Sequence, residues 1–331
     1  MKKLISFVLI AALLLSGCSP KGDGKDRPSN SGQLKVQNNI LVSSKGKPVQ
    51  LRGISMAGIA FQERYTNDDT FKEIAATLGC NVIRLAMYTW GVGAAGYSTG
   101  GNKKQLKEDI LKGVECAKNA DMYAMVDWHV LQDRDPNKYI EDAKDFFDEV
   151  SLKLKDYDNV IYEICNEPNN CEWSDIKAYA DVIIPIIRNN DPDALIIVGT
   201  PEWSSDLYSA ANDPLDYDNL MYTFHFYAAS HNTEYRNRVS YAVNTGLPVF
   251  VTEFGITSAN GGYPVDIDEA NTWVDFLEEN NISYIMWNFS TSTEPCAAIK
   301  SGTLKTSGFT DEEITEAGHW LIDTINKYNS K

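Results

Sequence analysis

The chain reads as an α/β protein built on one closed (β/α)8 barrel, a TIM barrel, with a short N-terminal β-hairpin cap. Three observations predict this. Short apolar segments alternate eight times with strand breaks or amphipathic stretches, the pattern of a parallel sheet with right-handed helical crossovers. Roughly 300 residues follow the N-terminal segment without a second linker or short-period repeat, enough for one large core. No Gly-x-Gly-x-x-Gly follows the first strand, which argues against an open dinucleotide-binding sheet.

Residues 1–17 read as a signal peptide rather than as fold. Lys2 and Lys3 precede a largely apolar run from Leu4 to Leu15, too short to span a bilayer. Leu15-Ser16-Gly17-Cys18 then resembles a bacterial lipobox, in which Cys18 is lipidated and becomes the mature N-terminus. Ser19 to Gly32 is rich in Ser, Gly, Pro, Lys and Asp and has no apolar periodicity, so residues 18–33 read as the lipidated Cys and a flexible tether. The expected location is the outer face of a bacterial cell membrane, with the anchor as the sole membrane contact; a cleaved secretory signal with Cys18 incidental, and hence a secreted protein, is the alternative.

From residue 34 to 331 the chain reads as one catalytic domain. Ile40–Val42 and Pro48–Gln50, joined by polar residues 43–47, are expected to pair as the hairpin. The barrel strands are expected at Leu51–Ser55, Asn81–Met87, Tyr123–Trp128, Asn159–Ile164, Leu195–Gly199, Leu220–Phe224, Val249–Thr252 and Ser283–Trp287. Helices are expected at Lys104–Asn119, Asp142–Leu154, Ile176–Arg188 and Ile267–Asn280. In the first of these Leu106, Ile110, Leu111, Val114 and Ala117 share one face.

Active sites of such barrels lie at the carboxyl ends of the strands. The chain concentrates polar and aromatic residues there: Arg84 and Tyr88, Asp127-Trp128-His129, Asn166-Glu167, Trp203, His225-Phe226-Tyr227, Glu253 and Trp287. Two strands end alike. Val160, Ile161 and Ile164 lead to Asn166-Glu167-Pro168, where Pro168 stops the ladder, and Val249-Phe250-Val251-Thr252 leads to Glu253. Glycoside hydrolysis needs such a pair, one carboxyl to protonate the leaving oxygen and one to attack or to activate water.

On these residues the chain resembles glycoside hydrolase family 5, most of all its bacterial endoglucanase subfamily 2. The matching stretches are Leu51-Arg52-Gly53, Ile83 to Tyr88, Asp127-Trp128-His129, Ile161 to Pro168, Val198 to Pro201, Tyr222 to Tyr227 and Pro248 to Glu253, and the likeness runs from about residue 35 to 325. The resemblance implies a retaining endo-β-1,4-glucanase acting on cellulose or mixed-linkage β-glucan, without cofactor or metal. It implies Glu167 as acid/base and Glu253 as nucleophile, with Arg84 and Tyr227 bonded to Glu253. Asn166 would hold the sugar 2-hydroxyl, with His129, His225 and Tyr88 in the same sugar site. Trp287 would be the platform under the cleaved sugar, and Trp203 a platform on the leaving-group side.

The sequence departs from the subfamily at the non-reducing side. Ala57 replaces a usual His, Phe61 a usual Trp, Thr291-Ser292 a usual Asp-Lys pair, and Phe254 the usual Trp after the nucleophile. Trp90 is a candidate replacement stacking surface. Another β-glycan, such as mannan or a hemicellulose, therefore stays open as substrate, as does a non-catalytic glycan-binding lipoprotein. A metal-dependent barrel hydrolase would need a His-x-His cluster at the first strand, which is absent.

The formal charge of −16 argues against nucleic acid and anionic lipid as partners and does not oppose a neutral polysaccharide. A monomer is expected. Besides Cys18 there are five Cys, an odd number without C-x-x-C spacing, so buried free thiols are expected over a zinc site, with a disulfide left open.

Overall fold

β-Branched and aromatic runs bounded by Gly, Pro and Asn form ten strands in a computed structural model that describes residues 26–91 and 95–330. β1 (Lys35–Gln37) and β2 (Ile40–Val42) form an antiparallel pair. The next eight are β3 (Arg52–Met56), β4 (Val82–Tyr88), β5 (Tyr123–His129), β6 (Val160–Glu163), β7 (Leu195–Val198), β8 (Leu220–Tyr227), β9 (Val249–Gly255) and β10 (Tyr284–Phe289). They pair in parallel in sequence order, and β10 closes onto β3. This is the expected (β/α)8 barrel.

Helices cover the outside: α1 (Pro28–Ser31), α2 (Asp68–Ala76), α3 (Lys103–Asn119), α4 (Ile140–Leu154), α5 (Trp173–Asn190), α7 (Leu207–Asn212), α8 (Thr233–Asn244), α9 (Ile267–Glu279) and α10 (Glu316–Asn329), while the short segment α6 (Pro201–Ser204), left-handed at Glu202 and Trp203, sits at the rim after β7. Their starts are written in short polar side chains. Asn67, Asn102, Asp266 and Thr315 accept from backbone N–H groups of the first turns of α2, α3, α9 and α10. None of the described helices is long and apolar enough to cross a membrane.

Alternation along the strands divides the core into two. Outward residues such as Ile83, Val126, Tyr162 and Phe254 pack under the helices. Inward residues at the strand starts, Val82, Tyr123, Met125, Ile161, Leu195, Met221, Phe250 and Ile285, form an apolar floor inside the barrel. Two steps further along, the inward positions turn ionic: Arg84, Asp127 and Glu163, all fully buried.

The N-terminal hairpin differs from expectation. β2 pairs with Lys35–Gln37 through an Asn38-Asn39 turn in which both residues have positive φ, 51° and 63°. That is the left-handed two-residue connection Asn tolerates. The expected partner, Pro48–Gln50, keeps one bridge, Val42 to Pro48, because proline has no N–H to extend a ladder. Leu34, Leu41 and Val49 pack on the barrel floor, so the hairpin plugs the end of the barrel remote from Glu167 and Glu253.

The stretch read as a tether is docked from Asp26 onward. The Asp26 carboxylate, 5 % exposed, accepts from the Gln50 N–H at 2.8 Å. Arg27 donates to the carbonyls of Asp121 and Ala75, Ser29 bonds the Asp121 carboxylate, and the Gly32 carbonyl accepts from the Tyr123 hydroxyl. Composition alone hid this, because every partner is distant in sequence. Cys18 and the rest of residues 1–25 lie outside the described residues. The five other cysteines are free thiols; all are buried except the partly exposed Cys171.

Candidate active site

A bulge creates half of the site. Thr223 faces Phe250 across the β8–β9 ladder, but His225 faces Glu253, so β9 gains one residue over its neighbour. A regular pleat sends successive side chains to opposite faces. With the extra residue, Thr252 and Glu253 both bond groups inside the barrel. The other half comes from the loop after β6. Asn166 and Glu167 donate their N–H groups to the carbonyls of Trp128 and Val130, which pins the loop to the end of β5.

Arg84 organises the centre. Its guanidinium donates to Glu163 at 2.7 Å, to Glu253 at 3.0 Å and to Asn166 Oδ1 at 2.6 Å, and lies 3.0 Å from Asp127. Tyr227 donates to the other Glu253 oxygen at 2.7 Å. Burial alone pushes the Glu253 carboxyl upward, but His225, Arg84, His129 and the Tyr227 hydroxyl outweigh it and hold the group below the usual carboxylate range. Glu167 goes the other way. Burial raises it and the Glu253 charge adds to that, while a hydrogen bond with His225 Nδ1 at 3.0 Å opposes only in part. Two carboxyls of one chemical type are thus driven apart, one toward carboxylate and one toward acid.

His225 lies between them. Burial disfavours its charge, yet Glu163 and Glu167 carry its pKa up to about 9. Its Nε2 meets Thr252 Oγ1 at 2.8 Å, and Thr252 donates to Glu163 at 2.5 Å. Glu163 is itself held at about 2, because Arg84, His225 and Thr252 overcome its burial. Asp127, pushed up by burial to about 6 despite Arg84, meets His129 Nδ1 at 2.6 Å. Asn166 is fixed as well, donating Nδ2 to the Val130 carbonyl at 3.0 Å while Arg84 grips its oxygen.

The expected aromatic residues divide between two sides. Tyr88, His129 and Trp287 form a row, with ring centroids 4.2 Å and 5.6 Å apart, and the last pair is stacked. Phe61, half exposed, meets Tyr88 edge-on at 5.4 Å. Trp203 stands on the opposite side, in a cleft of about 600 Å³ that Glu167, His225, Tyr227, Tyr235 and Asn260 also line. It projects from a left-handed turn: Glu202, Trp203 and Ser204 have φ of 56°, 56° and 58°. Each such residue costs about 1–2 kcal/mol. The turn is held by Trp203 N–H donating to the Pro168 carbonyl and by Ser204 Oγ donating to the Asn166 carbonyl at 2.6 Å.

The family model for cellulase, glycosyl hydrolase family 5, matches residues 42–293. The chain belongs to glycoside hydrolase family 5. Among family relatives, endoglucanase A of Butyrivibrio fibrisolvens is 45% identical over 300 residues, spanning 89% of this chain and 69% of that protein. An endoglucanase of Clostridium saccharobutylicum is 42% identical, spanning 99% and 73%. Among solved structures, cellulase Cel5C_n superposes with a TM-score of 0.86 at 40% identity, over 92% of this chain and 94% of that one. The catalytic domain of Thermobifida fusca endoglucanase Cel5A, solved in complex with cellotetraose, gives 0.85 at 34%, over 90% and 99%.

Within this family 5 fold, the departures noted in the sequence fall into two groups. Phe254 is fully buried, stacked on Phe226 at 5.1 Å, and belongs to the outer core rather than the site. Ala57 packs with Trp287 and Tyr88 on their side of the site, and Thr291 accepts from Arg64 at 2.9 Å. Trp90 is 37 % exposed, two residues beyond the end of β4.

Glu163, Thr223 and Thr252 were not singled out from the sequence. An ionisable residue at an inward position of an apolar strand was the available signal for Glu163, since such groups are rarely buried unpaired. Glu167, His225 and Glu253 each offer a donor atom within 4.8 Å of the others, a spacing that could hold a metal. These groups already serve one another: His225 meets Glu167 through Nδ1 and Thr252 through Nε2, and Arg84 and Tyr227 donate to the two Glu253 oxygens.

Proposed function

We propose that the protein is a retaining endo-β-1,4-glucanase, with Glu253 as nucleophile and Glu167 as acid/base, held by a lipid on Cys18 at the outer face of a bacterial cell membrane. The observation that supports the mechanism is that an oxygen of Glu167 and an oxygen of Glu253 lie within 4.8 Å of each other, too close to leave the wide gap of an inverting pair. Retaining enzymes keep their carboxyl pair about 5–5.5 Å apart, whereas inverting enzymes need roughly 6.5–9.5 Å to admit a water.

In the first step Glu253 Oε attacks the anomeric carbon and the glycosidic C–O bond breaks. Glu167 gives its proton to the departing oxygen. Arg84 and Tyr227 hold Glu253 ionised and aimed. Asn166 Nδ2 donates to the 2-hydroxyl, a contact that strengthens as the sugar flattens toward an oxocarbenium ion. In the second step Glu167, now a carboxylate, removes a proton from water, and the water oxygen displaces Glu253 to restore the original anomeric configuration. Trp287 underlies the glycone and Trp203 the leaving group. The named activities of the relatives and the intact centre support a β-glucan as substrate, and the Leu15-Ser16-Gly17-Cys18 sequence supports the anchor.

The test is reducing-sugar release from carboxymethylcellulose, barley β-glucan, xylan and mannan, with the product anomer followed by NMR. Release of the β-anomer from a glucan, lost in Glu253→Ala, is the expected result. Initial release of the α-anomer would refute the double displacement. Turnover confined to mannan or xylan would move the substrate and keep the mechanism, an outcome tied to Ala57 and Thr291-Ser292.

A further inference from the structure

We infer that the anchored enzyme stands with the hairpin end of its barrel toward the lipid surface and its catalytic cleft facing away. The inference rests on the proposed lipidation of Cys18. Its own evidence is where residues 26–32 dock. Asp26 bonds the Gln50 N–H just before β3, and Gln50 Nε2 donates to the Ile282 carbonyl just before β10. Arg27 and Ser29 bond Asp121, just before β5, and Tyr123 at the first position of β5 holds Gly32. Every attachment is at or near a strand start, whereas Glu167 and Glu253 lie at strand ends.

Reach converts this into an orientation. Asp26 lies eight positions after Cys18, so even a fully extended chain spans at most about 29 Å between them. A domain of roughly 300 residues has a radius of gyration of about 19 Å and hence a diameter near 50 Å. A strand of about 29 Å that leaves one pole cannot wrap half the circumference to bring the other pole onto the membrane. Were the chain free through Gly32, fourteen positions would allow about 50 Å, more than the quarter circumference of about 39 Å, so the domain could lie on its side although still not invert. The contacts of residues 26–32 therefore act as a clamp that shortens the leash.

Surface charge gives no competing preference. Lys45 and Lys47 are exposed on the hairpin end, and so are Asp158, Asp193 and Asp216 on the neighbouring loops before β6, β7 and β8. Orientation should accordingly be insensitive to salt.

The test uses the lipidated chain on vesicles of neutral phosphatidylcholine carrying an acceptor dye in the headgroup region. A donor fluorophore is attached through an azide-bearing residue at position 45, on the hairpin end, or at position 263, an exposed site in the loop after β9. Energy transfer at position 45 is expected to exceed that at 263 by threefold or more, at low and high salt alike. The combined variant Asp26→Ala, Arg27→Ala, Ser29→Ala should bring the ratio toward one. Equal or reversed transfer in the parent overturns the orientation, and an unchanged ratio in the variant overturns the clamp. Failure to co-float with vesicles sinks the anchor reading instead. Coupling Cys18 chemically to a maleimide lipid then reads the same ratio and tests the orientation independently.

Discussion

Arg52 and Arg84 sit on adjacent strands and both are buried, yet their surroundings differ. Arg52, at the floor end of β3, meets a single carboxylate. Its Nε and Nη2 donate to the two Glu278 oxygens at 2.6 and 2.8 Å, and Tyr284 completes the pair. Arg84, at the catalytic end of β4, faces Asp127, Glu163 and Glu253 together. One guanidinium cannot neutralise three carboxylates. The matched pair is a fastener, whereas the over-subscribed one leaves negative charge poised on an atom that can react. Burial of an arginine thus says nothing about its role until the opposing charges are counted.

The comparison breaks most visibly at Glu253. Replacement by Ala should lower kcat on the order of 10⁴-fold or more with the thermal transition nearly unchanged. Added azide should rescue it as an α-glycosyl azide, whereas Glu167→Ala should yield the β-product. Retention of a tenth of parent activity in Glu253→Ala would remove it from the reaction. Next is Arg84→Met. Stranding three buried carboxylates should destabilise the fold by about 3–5 kcal/mol and raise the Glu253 pKa, which moves the acid limb of the rate profile upward. Arg52→Met should cost a similar 3–5 kcal/mol in denaturant unfolding while kcat stays at the parent value. Arg52→Met with Glu278→Leu should recover most of that loss. A fall in kcat for the Arg52 variant would erase the distinction.

The pH dependence sharpens the contrast. The proposed double displacement needs Glu253 ionised and Glu167 protonated, so a bell-shaped kcat/KM profile should rise through the depressed Glu253 pKa and fall through the elevated Glu167 pKa. His225→Gln removes a cation that lowers both, so both limbs should shift upward. Stability follows linkage. Glu163, at about 2 when folded against an ordinary 4.5, contributes fully above 4.5, and its contribution is lost as pH falls toward 2. His225, at about 9 against 6.5, contributes fully below 6.5, and its contribution is lost as pH rises through 9. Unfolding free energies at pH 2.5, 6 and 9.5 check both signs. The smallest effect is expected at Trp203→Ala, which touches neither arginine. A single lost stacking surface should weaken KM for long oligosaccharides by about 3–10-fold and leave kcat nearly unaltered.

Much of this site was legible because the barrel turns position in sequence into position in space. A Glu at the end of an apolar strand lies on the catalytic face, so Glu167 and Glu253 could be paired before any coordinates. Arg84, Asn166, His225 and Tyr227 were implied by the family resemblance; Arg84 and Tyr227 bond Glu253, Arg84 bonds Asn166, and His225 bonds Glu167. What stayed hidden depends on contacts between distant segments. Glu163 looked like part of a strand until Arg84 and Thr252 closed on it. The bulge in β9 has no signature in Val249 to Gly255. Asn38-Asn39 was a readable turn, passed over for the longer polar loop at 43–47. Asp26, Arg27 and Ser29 have the composition of a linker, and only Asp121, Gln50 and Ala75 make them structure.

The turn that carries Trp203 has a mechanical consequence. Its two fastenings, to the carbonyls of Asn166 and Pro168, are on the residues either side of Glu167. Trp203 and Glu167 therefore ride on one piece of backbone. The spacing between the Trp203 ring and the Glu167 carboxyl is thereby set by local bonds, like a jig. In the proposed reaction, that jig is the gauge a glucan chain would meet at the rim.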